Sequence, residues 1–172
     1  DVTVQQYIQN GHGHHFLSSP VVAATLNELN DNVPVFTAGA AVPNVYYYDE
    51  TNPSNDCEEG WTLPASTSET MVVGRGYTLY FQSNAGKLID IKGDLNDGSI
   101  SIPLTNTTSV SAPLDPSCDP EGWNFIGNPY ASPIDLDLMS ALLPSSVLQS
   151  YYRWDPTNKF YGSYVNGVAS PS

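Results

Sequence analysis

Positive charge is scarce in this sequence. Its 172 residues carry five Lys and Arg (Arg75, Lys87, Lys92, Arg153 and Lys159) against 18 Asp and Glu, a formal net charge of −13. Binding a phosphate backbone needs clustered cations that release counterions. There is no such cluster, which excludes nucleic acid as a partner. Anionic membrane surfaces are disfavoured by the same sign argument. No apolar run approaches the ~20 residues that cross a bilayer, so no membrane insertion is expected. No signal peptide opens the chain; it starts on strand-like text, "VTVQQYI", and reads as a mature or excised fragment.

Charge of either sign is also low. Charged residues are 13% of the chain, about half the usual share. Thr, Ser, Asn, Pro, Gly and Tyr take their place, the composition of an all-β secreted protein rather than a cytosolic helical enzyme. The length fits one domain able to bury roughly 70% of its extended surface. Cysteine is limited to Cys57 in "NDCEEGW" and Cys118 in "SCDPEGW". Their spacing does not suit zinc, which takes close Cys/His pairs. The composition points to an oxidising compartment, so a Cys57–Cys118 disulfide is expected. It would close a loop of about 60 residues and contribute roughly 4 kcal/mol.

What is present is period-two alternation. Strands are expected over 2–8, 15–21, 44–50, 71–81, 87–93, 99–104, 122–129, 150–156 and 160–165. "KLIDIKGDLNDGSISIPL" reads as a hairpin turned at Asn96-Asp97-Gly98, and Asn158-Lys159 turns a second. Helix is expected only over 23–31 and 132–144. In the latter, Ser132 caps, Pro133 takes the first helical position, and Leu136, Met139, Leu142 and Leu143 share a face packed on the sheet.

The chain also repeats itself. Phe16-Leu17-Ser18-Ser19-Pro20 matches Phe125-Ile126-Gly127-Asn128-Pro129, and Tyr47-Tyr48-Asp49-Glu50-Thr51-Asn52 matches Arg153-Trp154-Asp155-Pro156-Thr157-Asn158. Each half reads strand, Pro corner, helical excursion, aromatic strand, Asp turn. The proline, which has no donor, marks where a strand leaves the sheet. The expected fold is all-β: a two-sheet, jelly-roll-like β-sandwich with an internal two-fold repeat and one or two short helices, one domain over 1–172 with halves of about 1–110 and 111–172. The second half is incomplete, because it lacks a match for the Gly-containing strand "VVGRGYTLYF". A further segment or another chain is expected to supply it.

The words "YIQNGHGHHFLSSPV", "GRGYTLYF", "IKGDLNDGSISIPLT", "GWNFIGNPYASPIDL" and "YYRWDPTNKFYGSYVNG" together resemble a domain of large secreted Bacteroidetes proteins, cargo of the type IX secretion system. The resemblance covers nearly the whole chain. It implies a β-sandwich and an extracellular or cell-surface location, and no settled activity. The chain departs from that pattern at His14-His15, where relatives carry Arg and Trp.

Four constellations are candidates for chemistry. "GHGHH" puts His12 and His14 on one face if extended, and with His15 they are a transition-metal candidate beside the plainer reading of solvated imidazoles. Ser18 and Ser19 lie near the histidines, but no G-x-S-x-G elbow exists, so they read as strand-edge hydroxyls. Acid pairs are plentiful (Asp49/Glu50, Glu58/Glu59, Asp119/Glu121, Asp135/Asp137), and a glycoside hydrolase needs two of them opposed across a cleft. Loop oxygens suit Ca²⁺ better, with Asp49, Glu50, Asp56 and Glu58 as the ligand candidates, although EF-hand spacing is absent. The aromatics are the strongest signal. Tyr46-Tyr47-Tyr48 and Tyr151-Tyr152 must alternate faces, and outward rings make stacking platforms for sugars. Tyr47, Tyr152, Trp154 and Tyr161 are the expected platform, and Trp61 and Trp123 are expected in the core. The reading is a non-catalytic extracellular or cell-surface module for adhesion or carbohydrate binding, whose partner is a polysaccharide or surface glycan. The alternative is a structural subunit joined to copies of itself by donation of the N-terminal strand.

Overall fold

The computed structural model describes residues 1–9, 12–52, 60–107, 122–165 and 167–170. Among these the chain is mostly β, with three antiparallel sheets and one short α-helix. Strand β1 (Val2–Ile8) pairs along its whole length with β6 (Lys87–Gly93). The central sheet contains β2 (Gly13–Leu17), β3 (Val45–Tyr48), β4 (Trp61–Thr62) and β5 (Tyr77–Phe81) in the order β2-β5-β3-β4. The third sheet is β7 (Ser150–Asp155), β8 (Phe160–Val165) and β9 (Val168–Ala169).

Alternation places the core. On β6, Ile89 and Ile91 are buried while Leu88 points outward, as period two requires. Tyr77, Leu79 and Phe81 of β5 meet them, together with Val45 of β3 and with Leu26 and Leu29. Each such side chain contributes roughly 1.5–3 kcal/mol on burial. The core cluster lies between Val21 and Ile91, with Pro20 and Pro129 buried at the two corners.

Several elements are shorter than the alternation predicts. The stretch 23–31 forms a single 3-10 turn, Leu26–Leu29. The second helix, α1, is Leu136–Ser140, and its cap is Asp135, whose carboxylate accepts from the amides of Asp137 and Leu138. It buries no residue, and Leu142 beyond it is 84% exposed, so the expected packed face does not form. Strand β5 starts only at Tyr77 because Gly74 takes a positive φ of 78°, a conformation only glycine adopts freely. Residues 99–104 form no strand, and 122–129 contribute only an isolated bridge between Ile126 and Arg75. The hairpin expected at Asn96-Asp97-Gly98 is therefore absent. Strand β6 pairs with β1 instead, and Asn96 does other work. The hairpin at Asn158-Lys159 does form, joining Asp155 to Phe160 with Lys159 at φ 58°.

Candidate functional site

The two Pro corners meet each other. Ser18 Oγ donates to Asn128 O at 2.7 Å. The Gly76 amide donates to Phe125 O and the Gly127 amide to Gly74 O, at 3.0 and 2.9 Å. Asn96, almost fully buried, clamps both corners: its Nδ2 donates to Ser19 O and Pro129 O, and its amide donates to Pro20 O. Ser19 Oγ donates to Val21 O. Both serines thus serve the corner.

Aromatic rings run outward from this crossing. Tyr48 meets Trp61 edge-on at 5.4 Å, Trp61 meets Phe125 at 5.6 Å, and Phe125 meets Phe16 at 4.6 Å. Phe16 continues to Trp154 and Tyr161, a cross-strand pair on β7 and β8 at 5.1 Å. Trp123 meets Tyr152 edge-on at 5.1 Å. Such edge-to-face contacts stabilise by about 0.5–1.5 kcal/mol beyond burial. All of these rings but Trp154 line a broad groove of about 1680 Å³ between residues 122–132 and the β7–β8 hairpin.

Of the four expected platform residues, the groove brings together Tyr152 and Tyr161, which line it and are 48% and 51% exposed. Trp154 shares their sheet but is half-buried and ties β7 to β2 by donating from Nε1 to His14 O at 2.9 Å. Tyr47 lies elsewhere: the Arg75 guanidinium covers its ring at 4.5 Å and Tyr77 meets its edge. Trp61 and Trp123, expected in the core, are both exposed, Trp123 by 50%. Their preceding glycines, Gly60 and Gly122, turn the chain with φ of 83° and 77°, so each Trp follows directly on a turn, Trp61 as the first residue of the two-residue edge strand β4. The matched "GW" words carried that signal.

Glu50 braces the groove's edge. Its Oε1 accepts from the Thr107 amide at 2.6 Å, the Thr107 hydroxyl at 2.9 Å and the Gly122 amide at 3.1 Å. Burial works to raise its pKa. The amides of Thr107 and Gly122 and the hydroxyls of Thr105 and Thr107 outweigh that and hold the carboxyl below its ordinary value. Asp49 closes a turn by accepting from the amide and hydroxyl of Thr51. Asp56 and Glu58, the other expected calcium ligands, lie outside the described residues. Among the described residues no group of three or more His, Cys, Asp or Glu is placed to hold a metal. Cys57 and Cys118 also lie outside them, as do Glu59, Asp119 and Glu121. In the remaining acid pair, Asp135 caps α1.

His12 and His14 share one face, as expected, both rings edge-on to Tyr80, and His15 parts from them. His12 Nε2 lies 3.2 Å from Tyr80 OH, and His14 Nδ1 lies 3.0 Å from Thr78 Oγ1 with its ring against Tyr80. Burial pushes the His14 pKa down. His15 takes the opposite face, buried and stacked on Phe81 at 4.5 Å. The three imidazoles do not converge. Burial against Trp154 also raises the Tyr161 pKa.

A mostly β chain organised around an aromatic groove is the class that these features define. The chain belongs to the family described as "Domain of unknown function (DUF8693)", which matches residues 3–168. Comparison with curated proteins and with solved structures finds no match. Among the described residues, no helix is long and apolar enough to cross a membrane.

Proposed function

We propose that this chain is a non-catalytic module of an extracellular or cell-surface protein, and that it serves adhesion or carbohydrate binding through the aromatic groove. The observation that carries this reading is the exposure of Trp123, Tyr152 and Tyr161 along one groove. Exposed rings with polar tips recognise sugar faces and extended peptides, and large exposed apolar surfaces mark interaction sites. The resemblance to type IX secretion cargo supports the location. A two-sheet, jelly-roll-like sandwich with a two-fold repeat is the architecture we attach to it. The matched Asp turns support the repeat: the Thr51 amide donates to Asp49 Oδ1 and the Thr157 amide to Asp155 Oδ1.

The test is a glycan array and a surface-polysaccharide pull-down with the wild type and with Trp123→Ala/Tyr152→Ala. Retention by the wild type that falls at least tenfold in the double variant supports the groove. Equal retention by both places recognition elsewhere and overturns it. Assembly through a donated strand is the second reading, favoured by the outer edge of β7, along which no ladder forms among the described residues. The N-terminal strand is already engaged, paired over seven residues with β6.

A further inference from the structure

We infer that the groove takes a single, uncharged polysaccharide chain whose backbone turns from one unit to the next, and not a flat sugar ribbon, a crystalline surface or an acidic glycan. This rests on the reading of the groove as the recognition site and names its substrate class.

Size sets the first limit. The groove holds about 1680 Å³, above the roughly 300–1,000 Å³ of a site for one small molecule. Its lining is drawn from β1, β6, residues 122–133 and β7. A site of that extent is filled by several linked units, not by one.

Charge sets the second. The chain carries 18 Asp and Glu in 172 residues, yet none of the described residues lining the groove is acidic. Glu50, at its edge, is turned onto the amides of Thr107 and Gly122. Among the described lining residues the one charged side chain is Arg153. Asp155, two residues on along β7, stands on the same face of that strand. The polar lining is otherwise amide, hydroxyl and indole. Gln5, Gln6 and Asn106 are exposed, and their side chains hold no hydrogen bond among the described residues. A carboxamide both donates and accepts, which matches the hydroxyls of a neutral sugar. A polyanion meets the field of a chain at −13, and a polycation finds no carboxylate among the described lining residues.

Ring angles set the third. The touching ring pairs that line the groove are inclined to each other by 47–80°, Trp123 to Tyr152 by 68°. A pyranose stacks with its C–H face parallel to an aromatic ring. Coplanar rings therefore suit a ribbon such as cellulose, whose successive units keep their faces in one plane. Trp123 and Tyr152 are crossed and both about half exposed. They suit a chain that rotates its faces between units, as helical glucans do, and they cannot lie flat on a crystal face.

The probes are hexasaccharides titrated calorimetrically into the folded chain. Laminarihexaose and maltohexaose have turned backbones, cellohexaose a flat one, and hexagalacturonate is acidic. Expected is saturable binding of a turned neutral hexaose, at least tenfold tighter than cellohexaose and hexagalacturonate, falling at least tenfold in Trp123→Ala and in Tyr152→Ala. In the wild type the bound hexaose slows hydroxyl-radical labelling of Trp123 and Tyr152, a readout that does not depend on the variants folding. Absence of binding by both turned hexaoses, equal or tighter binding of cellohexaose or hexagalacturonate, or retention on microcrystalline cellulose overturns the inference. An alternating Thr-Val peptide that saturates the chain and protects the same rings, while no hexaose binds, overturns it in favour of a peptide strand. If a flat or acidic glycan is retained and then lost in the groove variant, the class falls and the groove reading stands. If no retention or hexaose binding responds to the variants, the groove reading falls.

Discussion

Asn96 Nδ2 donates to the carbonyl oxygen of Pro129 at 2.9 Å, and the same nitrogen reaches the carbonyl of Ser19 at 3.1 Å. One buried amide thus joins two corners that lie 110 residues apart, as Ser18 and Asn128 also do. Asn96→Ala leaves both carbonyls without that donor, at roughly 1–3 kcal/mol each when buried. The expected loss is about 2–4 kcal/mol, read as a lower urea midpoint at unchanged m. A loss within about 0.5 kcal/mol would mean that the clamp is dispensable.

Gly127 sits against Ser18, and a Cβ there would overlap the Ser18 side chain and press on Arg75 O. Gly127→Ala is expected to destabilise by about 1–3 kcal/mol through overpacking. Ser18→Gly removes the opposing Cβ. In a double-mutant cycle it should recover part of the loss, with a coupling of about 1 kcal/mol. Strict additivity would deny the contact.

The Glu50 carboxyl is held below its ordinary value of 4.5 in the folded chain. The sign follows directly. A depressed folded pKa gives stability that is complete above the unfolded pKa and is lost as pH falls through the folded one. Because the group is partly solvated, the expected size is about 1 kcal/mol. Glu50→Gln should therefore be less stable than wild type at pH 7, and the two should converge in acid below the folded pKa. Chemical denaturation at both ends of that range checks it. A gap that persists at the acid end would assign the effect to packing instead of charge.

The sequence makes the sheets legible where alternation is continuous. VTVQQYI, KLIDIKG and FYGSYV become β1, β6 and β8 at their expected bounds. It misleads where alternation is real but a backbone feature wins. The hairpin at Asn96-Asp97-Gly98 has the right turn residues, yet β6 finds its partner in β1 and Asn96 is drawn between two corners. That arrangement depends on contacts distant in sequence, which no local pattern encodes. For the site, the matched FLSSP and FIGNP words located the crossing, and Tyr152 and Tyr161 were legible as outward rings. Trp61 and Trp123 were not, because a buried and an exposed tryptophan look alike in sequence; only the glycine before each, with its positive φ, separates them. Trp154 fits the same aromatic pattern, yet its indole N–H is engaged by His14 O.

The pairing of β1 with β6 also sets an order of events in folding. Val2 meets Gly93 and Ile8 meets Lys87, a loop of about 80–90 residues whose closure entropy must be met before the ladder forms. Of the strands between residues 1 and 93, β1 is thus made first and paired last. Until residue 93 is available, its edge stays open to any other extended chain.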